Sequence, residues 1–191
     1  MSRPNCFGRA CPMRPCAPCR SRRLLERVGA DPRKLCGSVE SLIRFAVKRR
    51  TLPVINNLVD AYNLVSLRTR CSLGAHDLHT ITAPVQLMLL EKPADFTPLG
   101  QNDTCRGNAG EFAYVDGRGR LLCRLDVQQG NLSKVTDKTR RALLIIEATT
   151  DHEADQVDAA FTEAAELIPR FCGGRVQAIV GWEVGSACGG Q

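Results

Sequence analysis

Apolar residues recur at helical spacing over the first third of the chain. Beyond residue 85 they gather into short runs set off by Gly, Asp and Pro. Residues 1–21 show no periodicity. They are rich in Pro, Arg and Cys and read as a basic leader without a fold of its own. A short helix is expected over 22–28, closed by Gly29 and the Asp31-Pro32 turn. The next begins with Ser38 as N-cap and sets Val39, Leu42, Ile43 and Ala46 on one face. The clearest helical pattern opens at Pro53, a good first-turn residue, and turns Ile55, Leu58, Val59, Tyr62 and Val65 toward a core. On the same helix Asn56, Asp60 and Asn63 fall at i, i+4 and i+7 and share a stripe. Three short polar groups in a row either hold a ligand or brace a neighbouring loop.

The later runs predict strands at Val85–Leu90, Glu111–Val115, Leu121–Leu125 and Ala142–Ala148. Asp116-Gly117-Arg118-Gly119 between two of them is a hairpin signal, because Asp-Gly favours a tight turn with positive φ. A long helix is expected over 153–170, buried through Val157, Ala160, Phe161, Ala164, Leu167 and Ile168. A last strand is expected over 175–182. Helices first, then strands, then one long helix predicts an α+β fold. Its helical N-terminal part packs on a mostly antiparallel or mixed β-sheet, in one domain over residues 22–191.

Composition narrows the function classes. With 43% hydrophobic but only 5% aromatic residues, the core must be aliphatic. No apolar run approaches the roughly 18 residues that span a bilayer, and no apolar segment follows the basic N-terminus as in a secretory signal. The expectation is a cytoplasmic protein with no membrane partner. The net charge of +6 is uneven. Residues 1–23 contribute all of it through six arginines. Residues 24–50 add +4, and the rest of the chain is −4. Arg44, Lys48, Arg49 and Arg50 are therefore candidate RNA-phosphate contacts, with no DNA partner expected. Ten cysteines include Cys6, Cys11, Cys16 and Cys19, enough ligands for a tetrahedral zinc site. Only Cys16 and Cys19 have the spacing of a zinc knuckle, so a reduced leader is preferred and no metal or other cofactor is assigned. Cys71, Cys105 and Cys123 read as small packing residues, and His79 and His152 as surface residues.

Two stretches carry a family resemblance. The first runs Ile55-Asn56-Asn57-Leu58-Val59-Asp60-Ala61-Tyr62-Asn63-Leu64-Val65 and continues through Leu73-Gly74-Ala75-His76-Asp77-Leu78. The second runs Gly130-Asn131-Leu132-Ser133-Lys134-Val135-Thr136-Asp137-Lys138-Thr139 into Leu143-Leu144-Ile145-Ile146-Glu147. Together they resemble the B3/B4 domain, the tRNA-editing module of the phenylalanyl-tRNA synthetase β subunit, over roughly residues 35–175. The resemblance implies a B3/B4-like fold that binds the 3′ end of an aminoacylated tRNA and hydrolyses the ester when the amino acid is wrong. A free-standing copy would act in trans. The alternative is a non-catalytic RNA-binding or small-molecule-binding module with the same fold.

An aminoacyl ester is already activated, so its hydrolysis needs a positioned water, oxyanion stabilisation and discrimination of the side chain, not a strong nucleophile. Asn56, Asn63, His76, Ser133 and Thr136 are the candidate catalytic residues. Asp60, Gly74, Gly130 and Glu147 are the candidate substrate-binding ones, with the Gly74 and Gly130 amides as possible oxyanion donors. Two positions depart from the family pattern. Gly74 stands where the family has a functional His, so His76 either takes over that role or packs. The family's Glu falls at Ile145, two residues before Glu147, which still shares its strand face.

Overall fold

Asn56 decides where the main helix begins. In the computed structural model, which describes residues 37–125, 127–148, 152 and 154–177, its Oδ1 accepts a hydrogen bond from the Val59 amide at 3.0 Å. Asp60 Oδ1 accepts from the Ile55 amide at 3.0 Å. These two side chains satisfy amides that no helical carbonyl can reach. Helix α2 consequently spans Asn57–Thr69. The expected start at Pro53 was too early, and Ile55, expected in the core, is 61% exposed because it precedes the helix. Helix α1, Ser38–Arg49, is capped by Gly37 instead of Ser38, whose hydroxyl bonds Ser72 Oγ. The expected helix at 22–28 and the leader lie outside the described residues, as does most of the expected strand at 175–182.

The strands are β1 (Ser72–Asp77), β2 (Gln86–Leu89), β3 (Ala94–Phe96), β4 (Cys105–Gly107), β5 (Phe112–Val115), β6 (Leu121–Arg124), β7 (Gln128–Gln129) and β8 (Ala142–Glu147). Helix α3, Ala154–Cys172, follows β8. All strand pairings among the described residues are antiparallel. They form a two-stranded β1–β8 sheet, a four-stranded sheet in the order β2-β5-β6-β7, and a two-stranded β3–β4 sheet. The α+β expectation holds, with its β part divided among three small sheets.

Helices α2 and α3 pack on each other and cover one face of β1–β8. Val59, Tyr62 and Val65 from α2, Ala160 and Ala164 from α3, and Cys71, Leu73 and Ala75 make that core, with Leu144 and Ile146 against it. Each large aliphatic buried there contributes about 1.5–3 kcal/mol. Burial, then the Asp60 charge, pushes the Tyr62 phenol up to about 12, so it stays protonated in the core. A smaller core joins Leu90, Phe96, Ala113, Val115 and Leu121 beneath the four-stranded sheet, with Cys105 against it.

The expected hairpin forms between β5 and β6, but the left-handed residue is Gly119, φ 75°, not Gly117. Gly117 is required for another reason: a Cβ there would meet the Ala83 carbonyl oxygen at 2.4 Å. Asp116 knots this turn. Its carboxylate accepts from the Thr82, Arg118 and Arg120 amides and from the Arg120 guanidinium at 2.6 and 3.0 Å. Burial pushes its carboxyl up, but these bonds outweigh it and hold the pKa at about 2.

Candidate functional site

Because successive side chains on a strand point to opposite faces, covering Leu73 and Ala75 with helices sends Ser72, Gly74 and His76 to the other side of β1. The register pairs Ser72 with Glu147, Gly74 with Ile145 and His76 with Leu143. One face of this ribbon is therefore hydrocarbon packed under helices. The other carries His76, Gly74 and Glu147. A Cβ added at Gly74 would meet no atom within 4 Å, so this face is open at its centre.

His76 Nδ1 lies 2.7 Å from Ser133 Oγ. The two residues are 57 positions apart in sequence, and the fold delivers Ser133 on a 3-10 turn, Asn131–Ser133. That turn is anchored by the Asn131 amide bonded to the Thr97 carbonyl at 2.7 Å. Gln129 Nε2 also donates to the Ala75 carbonyl at 2.8 Å, tying the same segment to β1. His76 is 3% exposed and Ser133 0%. Burial lowers the His76 pKa to about 4, so the imidazole is neutral at physiological pH. In that form one ring nitrogen donates and the other accepts.

Asp77 secures the end of the strand. Thr139 Oγ1 donates to its Oδ2 at 2.6 Å and the His79 amide to its Oδ1 at 2.9 Å. Burial raises this carboxyl, and the two hydrogen bonds more than reverse it, leaving the pKa below the ordinary carboxylate value. Thr139 Oγ1 in turn accepts from the Thr136 amide at 2.9 Å, so the loop after Ser133 is fixed to β1. Asp77, Thr139, Gln129 and Asn131 were not singled out by sequence reasoning. Asp77, Asn131 and Thr139 lie inside the two motifs, and Gln129 directly precedes the second. Asn131 Oδ1 is buried without a hydrogen-bond partner two residues before Ser133.

The candidate residues thus do not all converge. His76 and Ser133 meet, with Gly74 and Glu147 on the same face. Asn56 and Asp60 are both engaged in starting α2, and Asn63 lies half-buried farther along that helix. Thr136 is exposed and shapes its own turn, accepting from the Lys138 amide at 3.3 Å. The glycine amides are not free oxyanion donors. Gly130 N–H donates to the Leu122 carbonyl at 2.7 Å. The Leu78 amide bonds the Arg141 carbonyl, and antiparallel alternation then makes Gly74 and Ile145 a hydrogen-bonded pair. Gly130 is needed for close packing instead, since a Cβ there would meet the Leu122 carbonyl oxygen at 2.9 Å.

His76 and Glu147 also stand apart. The family positions at Gly74 and Ile145 are register partners. Moving each residue two places on along its own strand, in antiparallel directions, opens about 13 Å between their levels. A ligand touching both must be elongated and must cross the open stretch above Gly74.

Of the basic candidates, Arg44 is bound to the buried Glu40 carboxylate at 2.6 Å. Lys48, Arg49 and Arg50 are exposed at the end of α1. Among the described residues no group of His, Cys, Asp and Glu is placed to hold a metal; the four leader cysteines are outside them. No described helix is long and apolar enough to cross a membrane.

A family model described as the B3/4 domain matches residues 20–173. Among solved structures the chain is similar to an N-terminal fragment of the phenylalanyl-tRNA synthetase β subunit from Pyrococcus horikoshii. Identity is 16% and the TM-score 0.46, and the match covers 58% of this chain and 39% of that one. No curated protein matches the chain.

Proposed function

The chain belongs to the B3/4 domain family, and from that premise we propose that it is a trans-acting aminoacyl-tRNA deacylase, binding the 3′ end of a mischarged tRNA and hydrolysing the aminoacyl ester. The observation that carries this reading is the His76–Ser133 pair beside the open face at Gly74. With Ser133 fully buried, the hydroxyl is an orienting group and not an attacking one. It fixes the imidazole ring through Nδ1. When Nδ1–H donates to Ser133, Nε2 is left as an acceptor for the hydrolytic water.

An imidazole with a pKa of about 4 is a weak base, so His76 acts chiefly by aligning that water. The activated ester supplies the remaining driving force. The amino acid side chain occupies the space above Gly74, and Glu147 reads a polar group at its far end. Lys48, Arg49 and Arg50 form a separate basic corner at the end of α1.

A deacylation screen with correctly and wrongly charged tRNAs tests this. Release of at least one amino acid above the spontaneous rate is expected, reduced at least about tenfold by His76→Ala. No hydrolysis of any tRNA in the panel would leave the second reading, a non-catalytic RNA-binding or small-molecule-binding module. The near-complete burial of both His76 and Ser133 is what favours that alternative.

A further inference from the structure

The charge of the chain beyond residue 50 is −4, yet one end of the β1–β8 ribbon is strongly basic. Three segments meet there. The Leu78 amide bonds the Arg141 carbonyl at 3.0 Å, joining the turn after β1 to the start of β8. Arg120 Nη2 bonds the Thr80 carbonyl at 3.0 Å, and Thr82 bonds Asp116, joining the same turn to the β5–β6 hairpin. The segment from Ser133 to Thr139 closes the cluster through the Thr139–Asp77 bond.

Arg118, Lys134, Lys138, Arg140 and Arg141 are exposed on these segments, with Asp137 as the exposed acid among them. Asp77 and Asp116 are buried and held by their own partners, so neither offsets the outward charge. None of the ion pairs among the described residues involves those five basic side chains.

We propose that this rim is a docking surface for the phosphate backbone of a structured RNA, delivering the strand's end onto the His76 face. Lys134 follows Ser133 directly. Arg141 lies two residues before Leu143, the register partner of His76, or about 7 Å along the strand. By the two-residue period it shares a face with Leu143, Ile145 and Glu147. That face therefore carries Arg141 at one end and Glu147 at the other, with the open stretch at Gly74 between. The polarity sets the substrate's direction: phosphates at Arg141, the aminoacyl group toward Glu147.

Charge complementarity selects an anionic partner, and the lack of large exposed apolar side chains on these segments selects a polyphosphate over a bilayer surface. The α1 corner differs, because Val47, Val54 and Ile55 are 74%, 90% and 61% exposed around its basic residues.

The inference rests on the tRNA reading above but is tested without the ester. Binding of labelled, deacylated bulk tRNA to the full chain is measured across a salt series. The variants are Lys134→Gln/Lys138→Gln/Arg141→Gln and, for comparison, Lys48→Gln/Arg49→Gln/Arg50→Gln. Arg140 is spared because it bonds the Asp137 and Thr139 carbonyls and shapes the loop. The rim triple is expected to bind about tenfold more weakly and to lower the salt slope by about 2; the corner triple should stay within about threefold.

Equal losses in both triples, unchanged binding by a folded rim triple, or wild-type binding to phosphatidylserine vesicles and not to tRNA would each overturn the proposal. Arg141→Gln alone serves if the triple is unfolded by circular dichroism. Hydrolysis with no rim effect would leave the deacylase reading standing. Rim-dependent binding without hydrolysis would remove the deacylase and keep the surface.

Discussion

The β1–β8 ribbon and the four-stranded β2-β5-β6-β7 sheet bury themselves in different ways. The ribbon has two strands, too few to be stable alone, and relies on α2 and α3 to cover one face. That support leaves its other face available for polar groups, His76 among them. The larger sheet has a small core, and every residue of its edge strand β2 is exposed, Leu87 and Leu89 by 47% and 49%. Helical cover thus goes to the sheet that carries the candidate chemistry, while the wider sheet is secured by side-chain knots such as Asp116 with Arg120 and Glu111 with Arg124.

Four measurements test this contrast. The largest effect is expected in the four-stranded sheet, where Leu122 is fully buried on β6. Leu122→Ala should lower the unfolding free energy by about 2–5 kcal/mol in a urea titration. A loss under about 1 kcal/mol would show that this sheet does not depend on its few buried side chains.

Next, the two regions should respond to acid in different windows. The unfolded chain protonates His76 near pH 6.5, whereas the folded chain resists until about 4. Stability is therefore full above pH 6.5 and declines as pH falls to 4, by up to about 3 kcal/mol. Asp116, with its pKa at about 2, adds its loss only below the ordinary carboxylate range. Urea midpoints at pH 7 and 4.5 should differ in the wild type and nearly coincide in His76→Asn.

Ser133→Ala removes the hydroxyl that meets the buried imidazole and should destabilise by about 1–3 kcal/mol. A neutral result would mean that His76 finds another partner. The smallest effect is expected at the helix start: Asn56→Ala should remove about 1 kcal/mol, the value of an N-cap. A deacylation defect in that variant far beyond its stability loss would instead place Asn56 at the reacting ester.

Much of this was legible in the sequence where the signal was periodic. Val59, Tyr62 and Val65 face the core as their spacing requires, and β5, β6, β8 and α3 lie close to the expected runs. The start of α2 is ambiguous in the sequence because Pro53 and Asn56 are both valid helix-start signals. The hydrogen bond from the Val59 amide, invisible in a residue pattern, decides between them. Site residues were harder to read. A polar stripe at helical spacing looks the same whether it holds a ligand or caps a helix, so Asn56 and Asp60 could not be told from ligands. The His76–Ser133 contact depends on the turn at Asn131–Ser133, and no local pattern encodes a distance across 57 residues.

The pleat of β1 and β8 has a consequence for how such a site can change over generations. A one-residue insertion in either strand would turn His76 or Glu147 into the helix-packed core and bring residues of that core to the open face. Shifts by two residues keep every side chain on its own side. Functional groups on this ribbon are therefore free to migrate only in even steps, and each step slides the site along the strand without repacking the helices beneath it.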